Sequence, residues 1–457
     1  MIGKKITSVL LFMLSVNCIY SQNISIIIEY DIAQNDKTRL APINNSKLPN
    51  DDNINDSQKK LIKRLTLSNE NLSAIPNYIF SLTNLEYLDL SNNKLTNIPE
   101  EIKNLTKLKE IKLEKNLFVT FPQALINHQS VEIIDLSHNK IRTITGDFSK
   151  SYLIKKINLS SNQITNIDNS IDKLPNIIEL NLSRNNFDNV KLSFTSNNLV
   201  SLNFADNKII NITDIANIPK LQQIIFANNR IKNIPKDFFN IGSIVELDLK
   251  SNYLEKLPDD ITKLYNLQKL DISDNIISEL PIGMKRMDKL QIFNIAYNKA
   301  QVLPQLLFEL IQVKELNIAG NHINKLNDQI YNLKNLTNID LSYNEFKEFP
   351  IILCSMINIK SLNISNNFIK NIPPNIQNLI NINILDLSNN NIVDFPSELS
   401  LLANCKILFL ANNKITSLPN NLKQLASLKI LRLKSNPINT ADKEKARKLL
   451  PNVRISF

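Results

Sequence analysis

An asparagine recurs at an almost fixed interval through most of this chain of 457 residues. The interval is 23 residues, apart from two steps of 22 on either side of Asn207. The same pattern of leucine and isoleucine surrounds each of these asparagines. Such self-similarity predicts a solenoid, in which every unit buries its apolar face only against its neighbours. The sixteen asparagines are Asn93, Asn116, Asn139, Asn162, Asn185, Asn207, Asn229, Asn252, Asn275, Asn298, Asn321, Asn344, Asn367, Asn390, Asn413 and Asn436.

The pattern within one unit predicts a short strand followed by a turn. We number each unit from its first apolar residue, so that in the unit beginning at Leu85 the asparagine, Asn93, is position 9. Apolar residues at positions 1, 4 and 6 suit a strand whose alternate side chains point inward. Strands of successive units then pair in parallel about 4.8 Å apart, and roughly seventeen of them give a concave face on the order of 80 Å long. The asparagine amide offers two donors and an acceptor to backbone groups that the turn leaves unpaired.

A proline at position 15 marks many units. Its fixed φ suits the first residue of a short helical or 3-10 turn on the outer, convex side. The eleven prolines are Pro76, Pro99, Pro122, Pro235, Pro258, Pro281, Pro304, Pro350, Pro373, Pro396 and Pro419.

The complete frame, LxxLxLxxNxLxxIPxxIxxLxx, resembles the leucine-rich repeat, and its proline is similar to that of the 23-residue class found in Ras-suppressor-like and related bacterial proteins. The resemblance covers roughly residues 62–440. It implies an α/β solenoid, a right-handed leucine-rich-repeat horseshoe with a parallel concave β-sheet and short 3-10 or helical turns on the convex side. It also implies that the concave face binds a protein partner.

Departures from the frame are concentrated between about residues 131 and 220. The units beginning at Ile177 and Leu199 are one residue short, and Ser151 replaces a core leucine. Two explanations are open, drift of the repeat and a hinge or tuned curvature, and the sequence favours drift. Four successive units lack the proline and have Thr145, Asp168, Lys191 and Thr213 in its place.

The N-terminus predicts export. Lys4 and Lys5 precede an apolar run from Ile6 to about Val16, and Ser21 provides a small residue at a cleavage point. Residues 1–21 therefore read as a signal peptide, and they resemble those of flavobacteria-type exported proteins. The run is too short to span a bilayer, so no transmembrane span is predicted. Cys18 offers an alternative, a lipid anchor, although Ser15, Val16 and Asn17 make a poor lipobox.

Three further segments follow the signal peptide. Residues 22–60 read as a flexible leader, which lends a strand, Ile24 to Tyr30, to the open end of the solenoid. Residues 61–440 contain about 17 repeats, the first with Glu70 at the asparagine position. Residues 441–457 read as a cap, with a helix over Ala441 to Leu450 and a closing strand after it. Cys354 and Cys405 belong to no paired cluster, so the disulfide caps of animal extracellular repeats are missing.

The sequence predicts neither catalysis nor nucleic-acid binding. The net charge of +10 comes mostly from scattered outward lysines rather than from a basic stripe interleaved with aromatic residues. His128, His138 and His322 lie in different units without a metal-ligand motif, and no glycine-rich phosphate loop exists. A row of Asp and Asn at position 5 is interpreted as a solvated concave ladder. No cofactor is expected.

Bulky residues on the otherwise small and polar concave face are the candidates for contact with a partner. One set is predicted to form a contiguous apolar patch near the C-terminal end, and a second set is sparser. The alternative for the first set is that the C-terminal cap covers it, and the sequence leaves the two alternatives open. The first set is Ile384, Ile407, Phe409 and Ile430, bordered by Arg432, and the second is Ile225, Ile292, Tyr297 and Tyr343.

These observations favour a non-enzymatic exported recognition protein, located in the periplasm, on the cell surface or outside the cell. It would bind a protein or a cell-surface polymer through its concave face. The alternative is a cytoplasmic signalling scaffold, to which the 23-residue class is better known to belong. The ligand itself is not identified by the sequence.

Overall fold

The computed structural model describes residues 59–167, 170–194, 196–215, 218–298 and 305–457. Residues 1–58 lie outside this description. They include the predicted signal peptide with Cys18, the cleavage point before Gln22 and most of the predicted leader. Asp168, Pro304 and the predicted strand Ile24 to Tyr30 lie outside it as well.

The described residues form an 18-stranded parallel sheet, with one strand from each of seventeen units and a closing strand from the C-terminus. Every strand is three residues long, and positions 3, 4 and 5 of one unit pair with the same positions of the next. Position 4 points into the core, and its neighbours point to the concave side. The strands are β1 (Arg64–Thr66), β2 (Tyr87–Asp89), β3 (Glu110–Lys112), β4 (Ile133–Asp135), β5 (Lys156–Asn158), β6 (Glu179–Asn181), β8 (Ser201–Asn203), β10 (Gln223–Ile225), β11 (Glu246–Asp248), β12 (Lys269–Asp271), β13 (Ile292–Asn294), β14 (Glu315–Asn317), β15 (Asn338–Asp340), β16 (Ser361–Asn363), β17 (Ile384–Asp386), β18 (Ile407–Phe409), β19 (Ile430–Arg432) and β20 (Arg454–Ser456).

Short 3-10 helices occupy the convex side. Most of them directly follow the position 15 proline, whose carbonyl accepts the first 3-10 hydrogen bond, as from the Ile261 N–H to Pro258 O at 3.1 Å. The proline is therefore the residue before the helix rather than its first residue, because its extended backbone cannot also be helical. The helices are Asn77–Ser81, Glu100–Asn104, Gln123–Leu125, Ile171–Lys173, Lys236–Asn240, Asp259–Lys263, Ile282–Arg286, Gln305–Glu309, Asp328–Asn332, Ile351–Ser355, Pro374–Asn378, Ser397–Leu401 and Leu422–Gln424.

One continuous apolar core lies between the sheet and the convex side. It contains the frame residues of each unit, such as Leu247, Leu249, Leu254 and Ile261, which are all fully buried. A unit that is only about 4.8 Å thick along the stacking direction has no core of its own, so burial depends on the units stacked on either side. The chain thus has the predicted horseshoe architecture with a parallel concave sheet.

The irregular segment, residues 131–220, differs mainly on its convex side. Strands β7 (Asn189–Lys191) and β9 (Asn211–Thr213) pair in parallel at positions 13 to 15 of the two short units, and no 3-10 helix follows either strand among the described residues. The main sheet nevertheless continues through this segment in the same register. Ser151, in place of a core leucine, is buried and donates a hydrogen bond to Asn127 Oδ1 at 2.9 Å. The unbroken register favours drift of the convex side over a hinge.

The C-terminal end closes the solenoid as a continuation of the sheet. Helix α1 (Thr440–Leu449) is capped by Asn439, whose Oδ1 accepts from the Asp442 N–H at 2.8 Å. Strand β20 follows and pairs with β19. Cys354 and Cys405 are both buried, free thiols, and burial raises the pKa of each to about 12. Among the helices of the described residues, none has the length and apolar character needed to cross a membrane.

Candidate ligand-binding surface on the concave sheet

The recurring asparagine joins consecutive units through buried backbone groups. Asn275 Nδ2 donates to the carbonyl oxygens of Ile272 at 3.1 Å, Ser273 at 3.1 Å and Leu249, in the preceding unit, at 3.0 Å. Its Oδ1 accepts from the N–H of Leu254 in the preceding unit at 3.0 Å. The same arrangement recurs along the chain, which confirms the structural role predicted for the asparagines. Their side chains are therefore committed to the fold and unavailable to a ligand.

The residue before each of these asparagines, at position 8, adopts a left-handed backbone conformation. Its φ lies between 52° and 65° in all seventeen units. This turn directs its N–H to the next unit, as in the bond from the Asp274 N–H to Ala296 O at 2.8 Å. Sequence reasoning missed this feature, although a signal exists, because Asn, Asp, Ser or Gly fills most of the positions and such residues tolerate positive φ.

The Asp and Asn row at position 5 is a second structural row, which corrects its interpretation as a merely solvated ladder. In twelve units the side-chain oxygen accepts a hydrogen bond from the N–H of position 7, as Asp340 does from Ser342 at 2.9 Å. An Asn that follows an Asp also donates to it, as Asn363 does to Asp340 Oδ2 at 3.0 Å. Both of these residues are buried, with 7% and 6% exposure.

Burial of this row shifts the titration of its acids. Desolvation raises the pKa of Asp386 and of Asp248 to about 6, and in Asp248 the neighbouring Asp271 carboxylate adds to the rise. Desolvation also raises the pKa of Asp340 above its ordinary value. These shifts follow mainly from removing the carboxylates from water, and a neighbouring acid adds to the shift at Asp248 and Asp386. The acids therefore serve the fold, and nothing in their arrangement requires a catalytic role.

Three of the candidate contact residues interrupt this second row. Ile225, Phe409 and Arg432 occupy position 5, and none of these side chains can accept the backbone hydrogen bond that Asp or Asn accepts there. Their side chains instead remain on the concave face, where a ligand would meet them.

The first candidate set is contiguous, as the positions of its residues within their units predict. We call it the Phe409 patch, and it consists of Ile384, Ile407, Ile430, Phe409 and Arg432. The three isoleucines pair in register on adjacent strands, and Phe409 lies between Asp386 and Arg432. The Arg432 guanidinium carbon lies 4.6 Å from the centre of the Phe409 ring. Strand β20 extends the sheet beside the patch, and the apolar side chains stay partly exposed. The cap therefore does not bury them.

The second set separates into two kinds of site. Ile225 and Ile292 lie three units apart, and the strand neighbours of Ile292 are the charged residues Lys269 and Glu315, so these isoleucines form no patch. Tyr297 and Tyr343 both occupy position 8, two units apart, and their ring centres approach to 6.1 Å. We call these two residues the tyrosine pair.

The histidines do not assemble a reactive centre. His128 is buried, and its Nε2 lies 3.1 Å from Ile102 O, while burial lowers its pKa. His322 Nδ1 lies 3.0 Å from Glu345 Oε1 on the surface. Within the described part of the chain, no three His, Cys, Asp or Glu side chains converge as metal ligands.

Comparison with known proteins identifies the repeat. A family model described as leucine-rich repeat matches residues 60–118, 129–187, 219–277 and 288–346, and a second with the same description matches residues 358–379. Together these matches cover more than half of the chain. No curated protein matches it.

Solved structures share the fold. A leucine-rich repeat protein of Leptospira interrogans is 28% identical, with 88% of this chain and 97% of that chain covered and a TM-score of 0.75. The ectodomain of the plant receptor kinase GASSHO1/SCHENGEN3 of Arabidopsis thaliana, in complex with CASPARIAN STRIP INTEGRITY FACTOR 2, is 20% identical over 88% of this chain and 56% of its own, with a TM-score of 0.61. YopM of Yersinia enterocolitica is 22% identical over 82% of this chain and 79% of its own, with a TM-score of 0.56.

Proposed function

Because the chain belongs to the leucine-rich repeat family, we propose that it is an exported recognition protein without catalytic activity, which holds a protein or cell-surface ligand against its concave sheet. Repeat proteins of this kind present an extended concave surface rather than a closed pocket. The similar plant ectodomain was solved in complex with a ligand, which supports binding as the general role of this fold.

The Phe409 patch carries the proposal. A phenylalanine and three isoleucines stay partly exposed on adjacent strands, on a face where position 5 of the other units is mainly Asp or Asn. At position 5, an Asp or Asn would accept a backbone hydrogen bond, and Phe409 and Arg432 do not provide this bond. Large apolar side chains of this kind, next to an arginine, are typical of the residues that dominate protein interfaces.

The decisive variant is Phe409→Asn, because it removes the aromatic ring and restores the residue type that the fold uses at this position. The introduced asparagine would accept from the N–H of position 7 and donate to Asp386, as Asn363 does to Asp340. We expect capture of the native partner from the producing cell or its surroundings to fall more than tenfold, about 1.4 kcal/mol. The melting temperature should not fall.

Ile292→Asn is the matched control, since it removes an apolar side chain from the same face where no patch exists. It should leave capture unchanged. Equal capture by wild type and by the Phe409→Asn variant would show that the patch is not the anchor. A large loss of stability in that variant would show that Phe409 is a core residue.

Export is tested on the native protein. The order of basic, apolar and small residues supports a mature chain that begins at Gln22. Mass spectrometry of the protein from the producing cell measures this N-terminus directly. An intact Met1 in the cytosol would instead support the intracellular scaffold.

A further inference from the structure

The tyrosine pair is placed against local backbone preference. Tyr297 and Tyr343 have φ of 54° and 53°, in the left-handed region that bulky side chains rarely adopt. Each such residue costs about 1–2 kcal/mol relative to the ordinary conformation. Most other units place Asn, Asp, Ser or Gly here. Residues held in unfavourable conformations are concentrated at functional sites, so two tyrosines two units apart point to a use beyond the fold.

A glycine in the intervening unit makes room for the pair. Gly320 occupies position 8 between them, and a Cβ at Gly320 would lie 2.3 Å from Tyr297 Cδ1. The Tyr297 ring therefore lies directly over the Gly320 backbone and reaches Tyr343, with an angle of 47° between the two ring planes. Both rings keep exposed surface, and 42% of Tyr297 is accessible to solvent. The result is a composite aromatic surface at one edge of the sheet.

Among the described residues, carboxylates are the charged groups that act on these rings. Burial is the main cause that raises the pKa of Tyr297 to about 12, and Tyr343, Asp340 and Asp274 add to the rise. Burial, Asp340 and Asp386 raise the pKa of Tyr343. Asp274 occupies position 8 of the unit before Tyr297 and is exposed. The faces of aromatic rings attract cations, and nearby carboxylates strengthen this attraction. The tyrosine pair therefore suits a lysine or arginine side chain.

The Phe409 patch has the opposite character. Asp386 lies beside Phe409 on the adjacent strand and accepts a hydrogen bond from the Ser388 N–H. The other charged side chains that border the apolar surface are basic and exposed to solvent, so the patch suits an apolar side chain with an acidic neighbour. Arg432 lies within the patch itself. The other exposed basic residues on or beside strands β18 to β20 are Lys406, Lys429, Lys434 and Arg454.

The two sites are separated by a distance that a short peptide spans. Gly320, at the centre of the tyrosine pair, and Phe409 are four units apart, or about 19 Å along the sheet. About six residues of extended chain cover this distance. Between the two sites, strand position 3 holds the small polar residues Asn338 and Ser361, which are partly exposed. They leave space for a peptide backbone and can hydrogen-bond to it.

We infer that the ligand is an extended peptide segment whose lysine or arginine lies on the tyrosine pair, about six residues from an apolar side chain and an adjacent acid on the Phe409 patch. The inference rests on the proposed function, because it specifies the ligand of the same concave face. The inferred ligand is therefore a peptide and not a polymer that lacks charged side chains.

A random library of twelve-residue peptides displayed on phage, selected on the mature chain at about 0.15 M salt, tests the inference. We expect enrichment of Lys or Arg about six residues from an apolar and acidic pair. Selection on Tyr343→Ser, which retains a residue type found at position 8 in other units, should lose the basic residue and keep the apolar one. Selection on Phe409→Asn should do the reverse. Tyr265→Ser, at an exposed tyrosine outside the concave face, is the control and should change neither preference.

A synthetic peptide with the enriched sequence measures how much the basic residue contributes to binding. Replacing its basic residue by norleucine should weaken binding about fivefold to wild type and leave binding to the Tyr343→Ser variant unchanged, as a cation and aromatic contact would. Enriched peptides that depend on Phe409 but carry no basic residue, or a basic preference that survives Tyr343→Ser, would overturn this inference and leave the proposed function intact. Failure to enrich any sequence, or enrichment independent of Phe409, would count against both.

Discussion

The irregular segment spans residues 131–220, and a regular segment, residues 221–435, follows it. The two segments share one concave sheet, but their convex sides differ. Asn185 and Asn275, one from each segment, make matching hydrogen bonds. Each also accepts from an N–H of the preceding unit at 3.0 Å, from Ile164 and Leu254 respectively. On the convex side, the regular segment has 3-10 helices, whereas the irregular segment has strands β7 and β9 and, among the described residues, one 3-10 helix, Ile171–Lys173.

The comparison shows that the concave face is determined by hydrogen bonds between units and not by the form of the convex side. A deletion of one residue in two units changed the outer turns and left the register of the sheet intact. The interior also changes at the end of the irregular segment, where a run of buried rings leads from Phe187 and Phe204 into the regular segment at Phe226 and Phe238. Ligand contacts can therefore vary along the face without disturbing the solenoid.

The largest effect is expected from truncating this aromatic run. Phe204 is fully buried, and its ring centre lies 5.4 Å from that of Phe187 and 5.7 Å from that of Phe226. We expect Phe204→Ala to lower the free energy of unfolding by about 3–5 kcal/mol in denaturant melts.

Phe293→Ala in the regular segment is the matched truncation. Phe293 is also fully buried, but the described residues show no ring contact for it. It should cost about 0.5–1.5 kcal/mol less than Phe204→Ala, the contribution of aromatic pairs beyond burial. Equal losses would mean that the aromatic run adds nothing specific to the irregular segment.

We call the sixteen recurring asparagines at position 9 the asparagine ladder. Removal of one ladder asparagine should have the next largest effect on stability, and this effect should be the same in both segments. Asn185→Ala and Asn275→Ala each leave buried backbone groups without partners, so each should cost about 1–3 kcal/mol. Denaturant midpoints measure the two losses. A much smaller loss at Asn185 would show that the irregular segment does not depend on the ladder.

Asp274 provides the control for these variants, but not as an alanine. It is exposed, yet its φ of 55° would make alanine strained, and its Oδ2 accepts from Ser251 Oγ at 2.7 Å. Asp274→Ala would therefore remove this hydrogen bond and add backbone strain. Asp274→Asn keeps a residue that tolerates positive φ and should change stability by less than about 0.5 kcal/mol.

The position 5 row predicts a difference in pH dependence. The irregular segment holds Asn158, Asn181 and Asn203 there after its first unit, whereas the regular segment holds Asp248 and Asp386, each with a pKa raised to about 6. A folded pKa above the unfolded value means that the folded state binds protons more tightly. Stability from these groups is therefore present below about pH 4 and is lost as the pH rises through 6.

Asp386→Asn isolates this effect, because asparagine keeps the acceptor for the Ser388 N–H. It should raise the unfolding free energy by about 1 kcal/mol at pH 8 and by much less at pH 4. Asp340→Asn is the contrasting variant, since it would place two amide groups together where Asn363 now donates to a carboxylate. An equal gain from both variants at pH 8 would contradict the assigned hydrogen bonds.

The smallest effect on stability is expected at the Phe409 patch. Phe409→Asn should change the unfolding free energy by less than about 0.5 kcal/mol, because gained hydrogen bonds offset the lost apolar contact. Differential scanning calorimetry would measure this. A small change in unfolding free energy at Phe409, compared with the larger losses at Phe204 and Asn275, would distinguish residues that bind a ligand on the concave face from residues that stabilise it.

The sequence predicted the fold well because the pattern that determines it is local and repeated. The frame positions predicted the parallel sheet, the 3-10 turns and the hydrogen bonds of the asparagines. The location of Phe409 on the concave face followed from its place at position 5 of its unit. Strands β7 and β9 were not predicted, because a missing proline does not say what replaces a turn. The tyrosine pair was also missed as a pair, since Tyr297 and Tyr343 are 46 residues apart in the numbering and meet only because Gly320 lies between them.

Hydrogen exchange of the amides bound to the ladder tests the central claim most directly. The N–H groups of Ile164, Phe187 and Ile209 donate to ladder asparagines in or next to the irregular segment, and those of Ile231, Leu254 and Ile277 do so in the regular segment. If one ladder holds both segments, the protection factors of the two groups should agree within about tenfold, or 1.4 kcal/mol. Exchange a hundredfold faster in the first group, with the second still protected, would show that the irregular segment opens on its own and would contradict the account.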